Sequence, residues 1–139
     1  MIIDDCEIQL YLTETTIKKC LHPAQVIGFN SPVGALMHLR AIENNYHEFP
    51  VVIFLDLNMP FMNGFDFLDK YLEFPSHLRE HCEIVMLSAA DAEEDYARLN
   101  EYPVIYKFLS KPITTQKLMG ISTLWENNKV AMEMFANTW

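Results

Sequence analysis

Basic residues are scarce: ten lysines and arginines stand against 19 aspartates and glutamates in 139 residues, a formal charge of -9. They form no cluster, which argues against a nucleic-acid surface, because such binding is driven largely by basic groups neutralising phosphates. Glycine is scarce too. Gly28, Gly34, Gly64 and Gly120 are too scattered to build the phosphate-cradling loop of a nucleotide-binding fold. No apolar run approaches the roughly 20 residues of a membrane span. The opening Met-Ile-Ile, followed at once by Asp4-Asp5, is the opposite of a basic signal-peptide start. A cytoplasmic chain with no membrane insertion is expected. The cysteines, Cys6, Cys20 and Cys82, are odd in number and lack a short paired spacing, which suits reduced, buried thiols rather than a disulfide framework. His77, His81 and Cys82 fall short of the roughly four ligands of a structural zinc site, and a solvated helix end or loop is the simpler reading.

What is present is enough for one core. Half of the residues are hydrophobic, and the length matches one ordinary domain. Met1-Ile2-Ile3 reads as a short strand, followed by a helix over Ile8 to Cys20 with Ile8, Leu12, Thr15 and Lys19 at helical spacing. Gln25 to Phe29 is a second strand. Val33 to Asn45 is a second helix, with Leu36, Leu39 and Ile42 at apolar positions. Val51 to Leu55 is apolar throughout and β-branched, as expected of a central parallel strand covered on both faces. A loop through Asn58 to Gly64 leads to a helix over Phe65 to Phe74, with Phe65, Leu68 and Leu72 at i, i+3, i+7 and Pro75 closing it. Glu83 to Leu87 is the fourth strand, Asp91 to Asn100 a polar fourth helix, and Val104 to Leu109 the fifth strand. The fifth helix starts near Thr114 or Thr115, either of which can cap it.

Strands alternating with helices, with no repeats, predict an α/β fold: a single doubly wound five-stranded parallel sheet with helices on both faces. Strand order does not follow from the pattern alone. With right-handed crossovers, the flavodoxin-like order 2-1-3-4-5 puts strands 1 and 3 side by side at the switch point, where ligands bind outside the carboxyl ends of strands.

Four of the five predicted strands end in a chemically useful group: Asp4-Asp5, Asp56, Ser88 and Lys111. Singly, each has a plainer reading as a turn former, helix cap or loop residue. Their conjunction points to phosphoryl transfer. Crowded carboxylates either protonate or bind a cation. Oxygen ligands without thiolate or imidazole favour magnesium, which takes a couple of carboxylates plus a phosphate oxygen. An aspartate there can act as nucleophile, forming an acyl phosphate neutralised by the metal and a lysine. Asp56, Asp5 and Lys111 fit these needs.

With these residues in place, the chain resembles the response-regulator receiver domain of two-component signalling, and is similar to the single-domain chemotaxis regulators. The resemblance covers about residues 1 to 127. It rests on Ile2-Ile3-Asp4-Asp5, Leu55-Asp56-Leu57-Asn58-Met59-Pro60 with Asn63-Gly64, Leu87-Ser88-Ala89, and Phe108-Leu109-Ser110-Lys111-Pro112. It implies that Asp56 is the phosphoacceptor, and that Asp5, Asp56 and the Asn58 carbonyl hold Mg2+, assisted by Asp4 through water. Lys111 would pair with the phosphoryl group, Ser88 and Phe108 would form the switch, and the Lys111-Pro112 bond would be cis. The phosphodonor would be a sensor histidine kinase or a histidine phosphotransfer protein. Phosphorylation would reshape the face of the fourth helix, fifth strand and fifth helix, read by a downstream output protein or by a second copy in a homodimer. The domain would be catalytic only toward itself. Two departures stand out: only three residues precede the Asp pair, so the chain begins late or the strand is abbreviated, and Ser88 replaces the commoner Thr but keeps the hydroxyl.

An aspartyl-phosphate hydrolase would carry Asp-x-Asp at the nucleophile, where this chain has Asn58, and a lid-sized insertion that it lacks. A phosphorylation-independent pseudo-receiver, acting purely as an interaction module, would lose the acidic pair, the Asp or the Lys. Residues 128-139 read as a C-terminal extension of the last helix. Leu118, Ile121, Trp125, Asn128, Met132, Phe135 and Trp139 follow a 3,4 spacing, which leaves two readings: the tail frays or folds back past its first turns, or a second copy or partner covers the seam.

Overall fold

The computed structural model describes residues 1–21, 25–89 and 93–121. Among them, five parallel strands, β1 (Ile2–Ile3), β2 (Gly28–Phe29), β3 (Val52–Asp56), β4 (Glu83–Ser88) and β5 (Ile105–Ser110), form one sheet in the order 2-1-3-4-5. The helices are α1 (Glu7–Cys20), α2 (Pro32–Ile42), α3 (Gly64–Tyr71), α4 (Ser76–Arg79), α5 (Glu93–Leu99) and α6 (Thr115–Met119).

Side chains on a strand alternate between faces, and the alternation divides the interior in two. Ile3, Ile53, Leu55, Ile84 and Met86 join Ala35, Leu39, Phe65, Phe67, Leu68 and Tyr71 in the larger core, on the α2 and α3 side. Ile2, Val52, Phe54, Val85, Leu87 and Leu109 join Ile17, Leu118 and Ile121 in the second core, on the α1 and α6 side. Each fully buried Ile, Leu or Phe contributes about 1.5 to 3 kcal/mol, so both faces must be covered. This is why Val52 to Leu55 of β3 and Ile84 to Leu87 of β4 are apolar at every position.

The helix starts carry their own signals. The Ser31 hydroxyl accepts from the Gly34 N–H, and Pro32 opens α2, where its missing N–H costs nothing. Asn63 and Asp66 form a reciprocal capping box at α3, and Thr114, one of the two caps expected, accepts from the Lys117 N–H.

Several sequence expectations need correction. The buried face of α1 is Thr13 and Ile17, with Leu10 and Cys20 packed against the second core, whereas Ile8 and Leu12 are exposed. In α3, Tyr71 and Phe67 are buried and Leu72 is exposed. That helix ends at Tyr71, and Pro75 instead precedes the short α4, since a proline is tolerated where a helix-start N–H has no partner anyway. The predicted fourth and fifth helices are therefore α5 and α6. Cys6 is exposed rather than buried. His77 meets the Glu43 carbonyl at 2.8 Å, and both His77 and His81 pack against Phe49. Of the C-terminal seam, Leu118 and Ile121 are buried, and its remaining members lie outside the described residues. No helix among the described residues is long and apolar enough to cross a membrane.

Candidate functional site

The sheet register builds the site. Ile3 of β1 is level with Leu55 of β3, so Asp4 and Asp56 leave neighbouring strands at the same height. Asp56 is level with Leu87, and Ser88 with Ser110, which carries Ser88 one residue and Lys111 two residues beyond the carboxylates. A backbone bond from Lys111 N–H to the Ser88 carbonyl, 2.8 Å, fixes that last step. Asp56 shares strand parity with Phe54, Asp4 with Ile2, and Lys111 with Leu109, all members of the second core. The three charged groups therefore belong to the α1 and α6 side of the sheet edge.

Asp4 is fully buried, Asp56 is 5% exposed, and Asp5 is exposed. One carboxylate oxygen from each lies within 4.8 Å of the others, the one such group of His, Cys, Asp or Glu among the described residues. The Lys111 ammonium joins them, 2.9 Å from Asp4 Oδ2 and 3.0 Å from Asp56 Oδ1. The Asp4 Oδ1 accepts from the Cys6 N–H at 3.0 Å, and Asp56 Oδ1 from the Asn58 N–H at 3.4 Å. The Ser88 hydroxyl is buried and finds no partner among the described residues, which is uncommon for a buried polar atom. The Lys111-Pro112 peptide is cis. Phe108 is partly buried against the larger core, with its ring edge-on to Tyr96 at 5.7 Å.

Burial pushes the Asp56 carboxyl up to about 6 against the pull of Lys111, with Asp4 adding to the rise. For Lys111, burial works downward, but the bonds to Asp4 and the charge of Asp56 outweigh it and hold the ammonium above its usual range. One ammonium thus faces three carboxylates. A hard cation with oxygen ligands is what relieves the remaining negative charge.

A family model for the response regulator receiver domain matches residues 1–122. The chain belongs to this family. The receiver domain is similar to the response regulator receiver protein of Dyadobacter fermentans, at 30% identity over 89% of this chain and 94% of that one, with a TM-score of 0.76. It is also similar to a CheY-like receiver domain protein of Methanospirillum hungatei, at 26% identity over 90% of each chain and a TM-score of 0.64. The two-component response regulator of Cytophaga hutchinsonii shares the fold, at 23% identity over 91% of this chain and 92% of that one, with a TM-score of 0.78. No curated protein matches.

The structure brings Asp4, Asp5, Asp56, Asn58 and Lys111 around one cavity of about 250 Å³, with Ala89 beside them. Two further residues line it that the motifs do not contain, Cys6 and Gln9. Their signal is one of spacing: Cys6 follows the acidic pair directly, and Gln9 lies one helical turn beyond Asp5.

Proposed function

We propose that this response-regulator receiver domain accepts a phosphoryl group on Asp56. The observation that carries the reading is the conjunction at Asp56: a buried carboxylate, the Lys111 ammonium 3.0 Å away, and the buried Ser88 hydroxyl, without a partner among the described residues. An Asp56 oxygen attacks phosphorus in line, the new P–O bond forms as the P–N bond of a donor phosphohistidine breaks, and the imidazole leaves with the electron pair and takes up a proton. Water later attacks the same phosphorus. The acyl phosphate P–O bond then breaks, releasing inorganic phosphate and restoring the carboxylate. In that sense the domain acts only on itself.

Asp5, Asp56 and the Asn58 backbone carbonyl would hold Mg2+, with Asp4 acting through water; an all-oxygen set with carboxylates in reach of one another suits that ion. When bound it would neutralise phosphoryl oxygens. Lys111 pairs with the transferred group, and its neighbour Pro112 ends the motif that carries it. Ser88 swings in to hydrogen-bond a phosphoryl oxygen, and Phe108 turns inward with it. Because the ring lies between the larger core and Tyr96 of α5, its movement is felt on the face of α5, β5 and α6.

The donor is a sensor histidine kinase or a histidine phosphotransfer protein in the cytoplasm, and an output protein or a second copy reads the switched face. The receiver unit is proposed to extend over residues 1-127; residues 122-139, and with them the extension expected over 128-139, lie outside the described residues. Intact mass after incubation with acetyl phosphate, with and without magnesium, on the wild type and Asp56→Asn, tests the reading. A magnesium-dependent gain of one phosphoryl group, absent in the variant, is expected. No gain under conditions that label another receiver would replace it with a phosphorylation-independent interaction module.

A further inference from the structure

Lysine is a long side chain with four rotatable bonds, and placing its ammonium to within a fraction of an ångström requires that both its root and its head be held. Both are held here, by residues outside the family motifs. At the head, Lys111 Nζ donates to Asp4 Oδ2 at 2.9 Å and Gln9 Oε1 at 2.5 Å and is ion-paired with Asp56 Oδ1 at 3.0 Å. Gln9 reaches it from the first turns of α1. At the root, Lys117 of α6 donates to the Ser110 carbonyl at 2.7 Å, the Ser110 hydroxyl at 3.0 Å and the Pro112 carbonyl at 3.1 Å. Those two carbonyls flank Lys111 on either side.

We infer that Gln9 and Lys117 are positioning residues that clamp Lys111 from opposite ends for phosphoryl transfer, a role that rests on the phosphoacceptor reading. The uncharged amide suits the head position. It accepts from the ammonium without adding a fourth negative charge beside Asp4, Asp5 and Asp56, so it does not repel an incoming phosphoryl group as a glutamate would. When the phosphoryl oxygen takes the place of Asp56 Oδ1, Gln9 and Asp4 keep the ammonium where it was. Lys117 in turn ties down the carbonyls around the residue whose side chain must not wander, and a charged donor to a carbonyl makes a stronger bond than a neutral one.

The test uses the full chain and two readouts. The first is the side-chain ammonium signal of Lys111 in 15N-edited NMR, sharpened when its partners hold the ammonium and broadened by solvent exchange when one is removed. It is expected to broaden in Gln9→Leu and in Lys117→Met, and to return in Lys117→Arg, whose guanidinium can span both carbonyls. The second is the rate of phosphoryl uptake from acetyl phosphate, expected to fall about tenfold in Gln9→Leu and Lys117→Met, with calorimetric magnesium affinity changed less than about twofold and with recovery in Lys117→Arg. An unchanged Lys111 signal in both variants overturns the clamp. So does an uptake rate equal to that of the wild type despite a broadened signal. A wild type that takes no phosphate defeats the phosphoacceptor reading instead, while the NMR readout still decides whether the two residues hold Lys111.

Discussion

Replacing Asp56 with asparagine should stabilise the metal-free domain, by an amount that depends on pH. Burial raises the folded-state pKa of this carboxyl from 3.8 to about 6, and a tenfold change in a proton-binding constant is worth about 1.4 kcal/mol. A folded-state constant roughly a hundredfold tighter than the unfolded one gives about 3 kcal/mol as an upper figure, and the water at the cavity mouth lowers the expectation to about 1 to 3 kcal/mol. Below about pH 4 the group is protonated in both folded and unfolded chains, and its charge costs nothing. As the pH rises through the unfolded value toward about 6, the unfolded chain loses its proton first, so the folded state loses stability, and above about 6 the loss is complete. Asparagine does not titrate. The advantage of Asp56→Asn is therefore small at about pH 4, grows through pH 5 and 6, and levels off by about pH 8. Urea unfolding of both proteins in the presence of a chelator, across that range, measures it. Magnesium narrows the gap by stabilising only the wild type, by about 1.4 kcal/mol at ten times its dissociation constant. A pH-independent difference, or a variant less stable than wild type at about pH 8, would show that the Lys111 pair outweighs burial and would refute the reasoning.

Two other substitutions separate stability from signalling. Ser88→Ala removes a buried hydroxyl that has no partner among the described residues; it should raise the unfolding free energy by up to about 1 kcal/mol while shortening the lifetime of the phosphorylated form, read by intact mass over time. Gly64→Ala places a Cβ 2.9 Å from Met86 Cε and 3.0 Å from both the Asp56 carbonyl and Leu57 Cα. The overpacking should cost about 1 to 3 kcal/mol in urea unfolding, and because the backbone of Asp56 is one of the contacts, slow phosphoryl uptake as well.

Much of the fold is legible in residue order because strands covered on both faces have to be apolar throughout, and their polar end residues then stand out. Val51 to Leu55 followed by Asp56, and Glu83 to Leu87 followed by Ser88, are readable on those grounds. Helix faces are less so. In α1, Ile8, Tyr11 and Leu12 are apolar yet exposed, while Thr13 is buried; the local pattern supports two faces, and the sheet selects one. The brief α4 carries no periodicity to read, being four residues long.

The sequence alone determined the alternation of strands and helices and the set of polar groups that end the strands, and its motifs carried the resemblance to the family, since hydrophobic period and motif spacing are local properties of the chain. Tertiary structure decided which of those groups meet and how they are charged. Register sets Asp4 beside Asp56 and advances Ser88 and Lys111 past them. Burial, which exists only once both cores have closed, pushes Asp56 up to about 6. Gln9 and Lys117, separated by more than a hundred residues of chain, converge on Lys111 because α1 and α6 pack side by side on the same face of the sheet. Such a convergence depends on distances through space, which no spacing along the chain encodes.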